Sequence, residues 1–156
     1  MSSELKVILV ENADQLAEAH RVRIQVFVKE QKFEISTEID EVDSKCIHWL
    51  LLPSDASKTD SVKNLGVGAI RLVPCDDPTN GYLGRLCLLK ESRGKGLAKP
   101  LVYALHSYAK EHGIKKVDLT AQMDKVEFYK KFGYTVDDET PVDVDGAPHI
   151  HMSLKF

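Results

Sequence analysis

A chain of 156 residues that is 43% apolar and 29% charged has ordinary globular composition, which excludes a disordered tail and a collagen-like fibre. Its net charge of −3 argues against a general nucleic-acid binder. No run approaches the roughly 20 apolar residues that span a bilayer, and the opening MSSELKV lacks a signal-peptide pattern.

Leu5–Val10 reads as a first strand. Asn12 or Asp14 then caps a helix on which Leu16, Ala19, His20, Arg23, Phe27 and Gln31 recur at helical spacing. That helix runs into an acidic stretch, Glu34 to Asp43, with few apolar anchors; it reads as a solvated loop or as a negative rim that favours a cationic amine. Ile47–Leu52 is a second strand, whose Trp49 belongs to the core. Ser54 to Asn64 is a polar loop and Leu65–Val73 a third strand, antiparallel to the second. After the turn-rich Pro74–Gly81, Tyr82–Leu89 forms a fourth, central strand.

Leu97, Leu101, Val102, Leu105, Tyr108 and Ala109 then share one helical face, with Pro100 in the first turn and Gly113 as the stop. Lys116–Ala121 is a fifth strand, parallel to the fourth through a right-handed crossover. A short helix, Asp124 to Phe132, ends at Gly133, and Tyr134–Asp137 and His149–Leu154 close the order as two last strands. The reading is one α+β domain over residues 1–156, built on a mixed sheet. Cys46, Cys75 and Cys87 show no CxxC spacing, so no disulfide framework and no metal site is expected, and a reducing, cytoplasmic setting is the simplest.

The chemistry-bearing segment is Arg93-Gly-Lys-Gly-Leu-Ala98, between a buried strand and an amphipathic helix. A glycine-rich turn that opens a helix presents unpaired N–H groups and the positive end of the dipole, which suits a phosphate or pyrophosphate. Gly94 and Gly96 allow close approach to the backbone, and Arg93, Lys95 and Lys99 add charge. Neither a Walker A loop nor GxGxxG is present. Residues 85–99 hold Arg85, Lys90, Arg93, Lys95 and Lys99 against Glu91 alone, a net +4 in a chain that totals −3, so the remainder sums to −7. That division predicts a basic anion cradle in an acidic body.

Arg93, Gly96 and Ala98 match the [Q/R]-x-x-G-x-[G/A] loop of the GNAT acetyltransferases, and the chain resembles that family. Arg85-Leu-Cys-Leu88 resembles the strand that precedes the loop, with Cys87 where the family usually has alanine, and Gln122 with Phe128-Tyr129-Lys-Lys-Phe-Gly-Tyr134 resembles its second motif. The ElaA-like branch is similar in Arg23, Val26, Phe27, Val28, Glu30 and Gln31; in Glu38, Asp40, Asp43 and His48; and in Asp145, Gly146, Pro148, His149, Ile150 and Met152.

The resemblance implies a GNAT fold: a single mixed, mostly antiparallel sheet with a parallel splay between the fourth and fifth strands, flanked by helices. It implies acetyl-CoA as co-substrate. Residues 93–99 (Arg93, Gly94, Lys95, Gly96, Leu97, Ala98, Lys99) would hold the pyrophosphate, Leu86, Cys87 and Leu88 would pair with the pantetheine arm, and Gln122 and Tyr129 complete the cofactor side. Tyr129 would protonate the departing thiolate.

An amine acceptor must first lose a proton. His149 is a candidate for that role or for a buried structural histidine, and His151 shares its side-chain direction. Glu30 is a candidate to bind the acceptor ammonium or take its proton through water. Arg23, Gln31, His48 and Arg85 are placed on the acceptor side, while Cys87 reads as a small buried strand residue rather than a nucleophile. The expected activity is direct acetyl transfer to a primary amine of a small molecule, such as an amino sugar, polyamine or amino acid. The alternatives are a protein amino group, a longer acyl-CoA, or a non-catalytic acyl-CoA sensor. The expected partners include no nucleic acid and no membrane, and leave room for a homodimer.

Overall fold

The computed structural model describes residues 4–56, 61–144 and 146–156. Residues 57–60 of the expected loop, and Asp145 of the C-terminal signature, lie outside the described residues. Seven strands form one sheet: β1 (Leu5–Leu9), β2 (Ile47–Pro53), β3 (Gly68–Pro74), β4 (Asn80–Leu88), β5 (Lys116–Gln122), β6 (Thr135–Val144) and β7 (Ala147–Lys155), in the spatial order β1-β2-β3-β4-β5-β7-β6. Every pairing is antiparallel except β4 with β5. The helices are α1 (Ala13–Arg23), which continues as a wider π-helical segment over Ile24–Glu30, then α2 (Ile35–Glu38), α3 (Ala98–Glu111) and α4 (Val126–Lys130). Among the described residues no helix is long and apolar enough to cross a membrane.

Alternation along β2 explains its unbroken apolar run. Trp49 and Leu51 face α3, where Leu101, Val102, Leu105 and Ala109 are wholly buried. Leu50 and Leu52 face α1, against Ala19 and Val22. Asn12 is the cap of α1, since its side chain accepts from the Gln15 N–H at 2.9 Å. The π-helical segment closes on a Gln31 N–H to Val26 carbonyl bond of 3.1 Å.

Three elements differ from expectation. β3 begins at Gly68 rather than Leu65, because Glu18 draws the Asn64 and Gly66 N–H groups out of a strand path at 3.0 and 2.6 Å. β6 runs on to Val144, beyond Asp137. The short α2 was not expected, and it begins the largest departure. The acidic stretch turns inward instead of forming a solvated loop or rim.

Glu38 and Asp43 are 2% and 3% exposed, and Arg23 is 0% exposed. Arg23 Nε donates to Glu38 Oε1 at 2.7 Å, and its Nη1 lies 2.7 Å from Asp43 Oδ1. Arg71 donates to Asp43 Oδ1 at 2.8 Å and to both oxygens of Asp40 at 2.9 and 2.8 Å. Arg85 Nε sits 3.0 Å from Glu38 Oε2. Three guanidiniums thus meet three carboxylates, and the charge of this loop closes on itself. Burial alone would raise the Asp43 carboxyl, but His20 at 2.6 Å and the Arg23 guanidinium hold it well below the usual carboxylate range. Burial pushes the Glu38 carboxyl up, against the pull of Arg23 and Arg85.

A second buried pair lies under α3, where His106 Nε2 and Tyr134 Oη share a 2.8 Å hydrogen bond. Burial pushes the imidazole down to about 4 from 6.5. The unfolded chain therefore takes up this proton near 6.5, and the folded protein only near 4. The contribution to stability is complete above the higher value and is lost as pH falls toward the lower one. Replacing His106 by glutamine is expected to flatten the stability loss between pH 6.5 and 4, read by urea denaturation across that range. An unchanged slope would assign the effect elsewhere.

Candidate active site

β4 and β5 stay in register only from Asn80–Tyr82 against Lys116–Asp118. Beyond that they diverge, and the other edge of β4 is irregular along the same stretch. Ala69 is opposite Cys87, but Arg71 is opposite Gly84, so β4 carries one extra residue. Within this bulge Arg85 has φ +53, a left-handed conformation that a non-glycine residue adopts at a cost. Its ion pairs with Glu38 and Asp40 hold it there. The inward-turned acidic loop thus meets β4 at the bulge, where the sheet opens.

The opening is a cavity of about 580 Å³. Leu83–Leu88 form one wall, and Leu119–Gln122 with Phe128 and Tyr129 form the other. Val26, Phe27, Gln31, Phe33 and Glu38 come from the helical N-terminal side, and Val144 and His149 from the β6–β7 hairpin. Of the residues singled out in the sequence, Gln31, Arg85, Leu86, Cys87, Leu88, Arg93, Ala98, Gln122, Tyr129 and His149 line this space.

Gly94, Lys95, Gly96, Leu97 and Lys99 form the adjoining loop and the first turn of α3. Gly94 and Gly96 have φ +78 and +74, and nothing lies within 4 Å of where either would carry a Cβ. Leu97 at the N-cap makes no side-chain cap bond, Pro100 carries no N–H, and the Lys99 N–H reaches the Gly96 carbonyl only at 3.4 Å, so the first turn of α3 is weakly capped.

Two expected acceptor-side residues are elsewhere. Arg23 is sealed in the ion network, and His48 is buried with Nε2 2.9 Å from the Asp43 carbonyl; neither lines the cavity. Glu30 is not in the lining either. It pairs with Arg93 at 2.8 Å across the mouth, while Arg93 Nε donates to the Leu88 carbonyl at 3.0 Å. The basic cradle is correspondingly narrower than residues 85–99, since Arg85 is spent on Glu38 and Asp40.

His149 is 8% exposed, and its Nδ1 lies 2.9 Å from the Ala147 carbonyl. A carbonyl only accepts, so Nδ1 is the donor of this bond, and the tautomer it selects places the lone pair on Nε2. His151 lies on the same strand face but is engaged by Asp137 at 2.9 Å and does not line the cavity. Tyr129 packs edge-on against Phe128 and Tyr134, with ring centroids 5.0 and 5.9 Å away. Burial, with Tyr82 nearby, pushes its phenol above the ordinary value, so the hydroxyl remains a proton donor. Burial pushes the Cys87 thiol up to about 12, which suits a packed strand residue and not a nucleophile.

Phe33, Tyr82 and Thr120 are lining residues that received no role from the sequence, and Glu38 was expected only as part of the acidic stretch; Tyr82 Oη and Thr120 Oγ1 are hydrogen-bonded at 2.6 Å. The partners of the network stand from 15 positions apart (Arg23 and Glu38) to 47 (Glu38 and Arg85), so no local signal marked it.

The sheet thus splays beside a glycine loop at a helix N-terminus. The acetyltransferase (GNAT) domain family matches residues 61–156. This chain belongs to the GNAT acetyltransferase family. The N-acetyltransferase YjcF of Bacillus subtilis, itself uncharacterized, is 35% identical over 150 residues, covering 95% of this chain and 98% of that protein. Escherichia coli ElaA superposes with a TM-score of 0.77 at 26% identity, covering 97% and 99% of the two chains. A solved Lactobacillus plantarum protein reaches a TM-score of 0.84 at 28% identity, over 97% of each chain. GNAT proteins use acyl-CoA and act on small-molecule or protein acceptors. The chain is thereby an acyltransferase of the N-acetyltransferase type.

Proposed function

We propose that this GNAT protein moves an acetyl group from acetyl-CoA to the primary amine of a small molecule, by direct attack with both substrates bound. The observation that carries the reading is the co-location, in one cavity, of a hydroxyl kept protonated and an imidazole with a bare Nε2. The residues fit the co-substrate. The open space over Gly94 and Gly96, the weakly capped start of α3 and the exposed Lys95 and Lys99 suit a pyrophosphate. Leu86 to Leu88, unpaired with β5, suit a pantetheine amide chain.

Acetyl-CoA, when bound, supplies the activated acyl carbon. His149 Nε2 takes the proton of the acceptor ammonium and frees the nitrogen lone pair. The C–N bond forms and the C–S bond breaks. The newly acylated nitrogen sheds its surplus proton to solvent, as does the protonated His149; Tyr129 Oη gives its proton to the departing thiolate and takes a new one from solvent. Gln31 and Arg85 remain on the acceptor side as orienting groups, whereas Glu30 acts on the cofactor loop through Arg93. Cys87 takes no part.

Gly96→Ala tests the cofactor half. A side chain at φ +74 strains the free loop by roughly 1–2 kcal/mol and places a methyl group where the ligand would lie. The expected result by calorimetric titration is CoA affinity reduced about tenfold or more, with Tm lowered by only the few degrees that this strain implies. Unaltered CoA binding would remove this loop from the site. Competition by ATP as effective as by CoA would favour a general nucleotide binder.

A further inference from the structure

We propose that the acceptor is an amine with an apolar or aromatic body and a single cationic group, rather than a polyamine or amino sugar. The inference rests on the acetyl-transfer reading above and narrows it.

The helical wall of the cavity presents Val26, Phe27 and Phe33, and the hairpin adds Val144 opposite. The two phenylalanines form one unit, because the Phe33 N–H bonds the Phe27 carbonyl at 2.9 Å. An amine that carries several charges would need carboxylates here. Among the described lining residues the carboxylates are Glu38 and Asp124. Both Glu38 oxygens are engaged, Oε1 by Arg23 at 2.7 Å and Oε2 by Arg85 at 3.0 Å. Asp124 stands exposed in the short 3-10 turn Met123–Lys125 that precedes α4, beside Lys125. Elsewhere in the acidic loop, Asp40 and Asp43 are also consumed by arginines.

A second ammonium would therefore leave water without a partner, which is costly, while a ring or alkyl body gains by burial against the phenylalanines. The reacting ammonium differs, because it gives up its charge to His149 before attack. The −7 of the chain outside residues 85–99 is thus no guide to acceptor charge: the part that reaches the cavity is neutralised inside the protein.

The test follows thiol release from acetyl-CoA by the full chain with phenethylamine, 1,4-diaminobutane, spermidine and an aminoglycoside. The expected result is a kcat/KM for phenethylamine at least tenfold above that of each polycation. Phe33→Asp, at a half-buried wall position, is expected to shift the phenethylamine-to-diaminobutane ratio at least tenfold toward the diamine. CoA titration of the same variant reports whether it is folded. A wild-type preference for a polycation overturns this inference alone, and so does a folded Phe33→Asp variant with an unchanged ratio. Tight CoA binding without thiol release on any amine overturns the acetyl-transfer reading, and this inference with it.

Discussion

Tyr129→Phe is expected to lower kcat by roughly 100- to 10,000-fold, the range for loss of a positioned general acid, while CoA affinity stays nearly intact. The ring packing against Phe128 and Tyr134 does not use the hydroxyl, so phenylalanine keeps the shape of the wall. The substitution removes only an O–H whose protonated state burial already favours. A fall in kcat with unchanged CoA affinity is the signature of an interaction made in the transition state. Equal turnover by the variant would reassign the acid. A large loss of CoA affinity would make Tyr129 a binding residue instead.

The largest stability effect is expected at Asp43. This carboxylate faces His20 at 2.6 Å, Arg23 at 2.7 Å and Arg71 at 2.8 Å, with only 4% of its side chain accessible. Asp43→Ala leaves two buried guanidiniums short of an acceptor, which costs about 3–5 kcal/mol. Chemical denaturation at neutral pH measures it directly, and a loss under about 1 kcal/mol would show that the network is replaceable.

Its pH dependence follows from the direction of the shift. The Asp43 carboxyl is lowered on folding, so its contribution is present above the ordinary value of 3.8 and is lost as pH falls below it. Asp40 is lowered too and adds in the same sense, whereas Glu38, raised by burial, opposes them. The network also sets the cavity. Arg85 keeps its left-handed backbone through Glu38 and Asp40, so loosening Asp43 should relax the β4 bulge and reduce turnover as well as stability.

Local signals carried most of the fold. Strand and helix positions followed from periodicity over Leu97–Ala109 and from the apolar runs at Ile47–Leu52 and Tyr82–Leu89, because those segments bury one or both faces. The glycine loop was legible for a similar reason: positive φ at positions 94 and 96 calls for glycine in the chain itself. Tyr129 and His149 were singled out in the sequence, and both line the cavity.

The acidic loop was not legible. Glu38, Asp40 and Asp43 look like solvent-facing charge until three distant arginines are folded onto them, and nothing local separates the two outcomes. Arg23 and His48 were misplaced by the same cause, since each answers Asp43 or Glu38 rather than a ligand. Glu30 differs again: it stands near the site, but its carboxylate is given to Arg93.

Amine-dependent cleavage of acetyl-CoA in one cavity is the reaction proposed for this protein. Its most direct measurement is free thiol release by the purified chain with acetyl-CoA, with and without a monoamine such as phenethylamine. Release is expected to rise with amine concentration and saturate, with one acetylated amine formed per thiol. Stoichiometric CoA binding with no amine-dependent release across the panel would contradict it and leave an acyl-CoA sensor in its place.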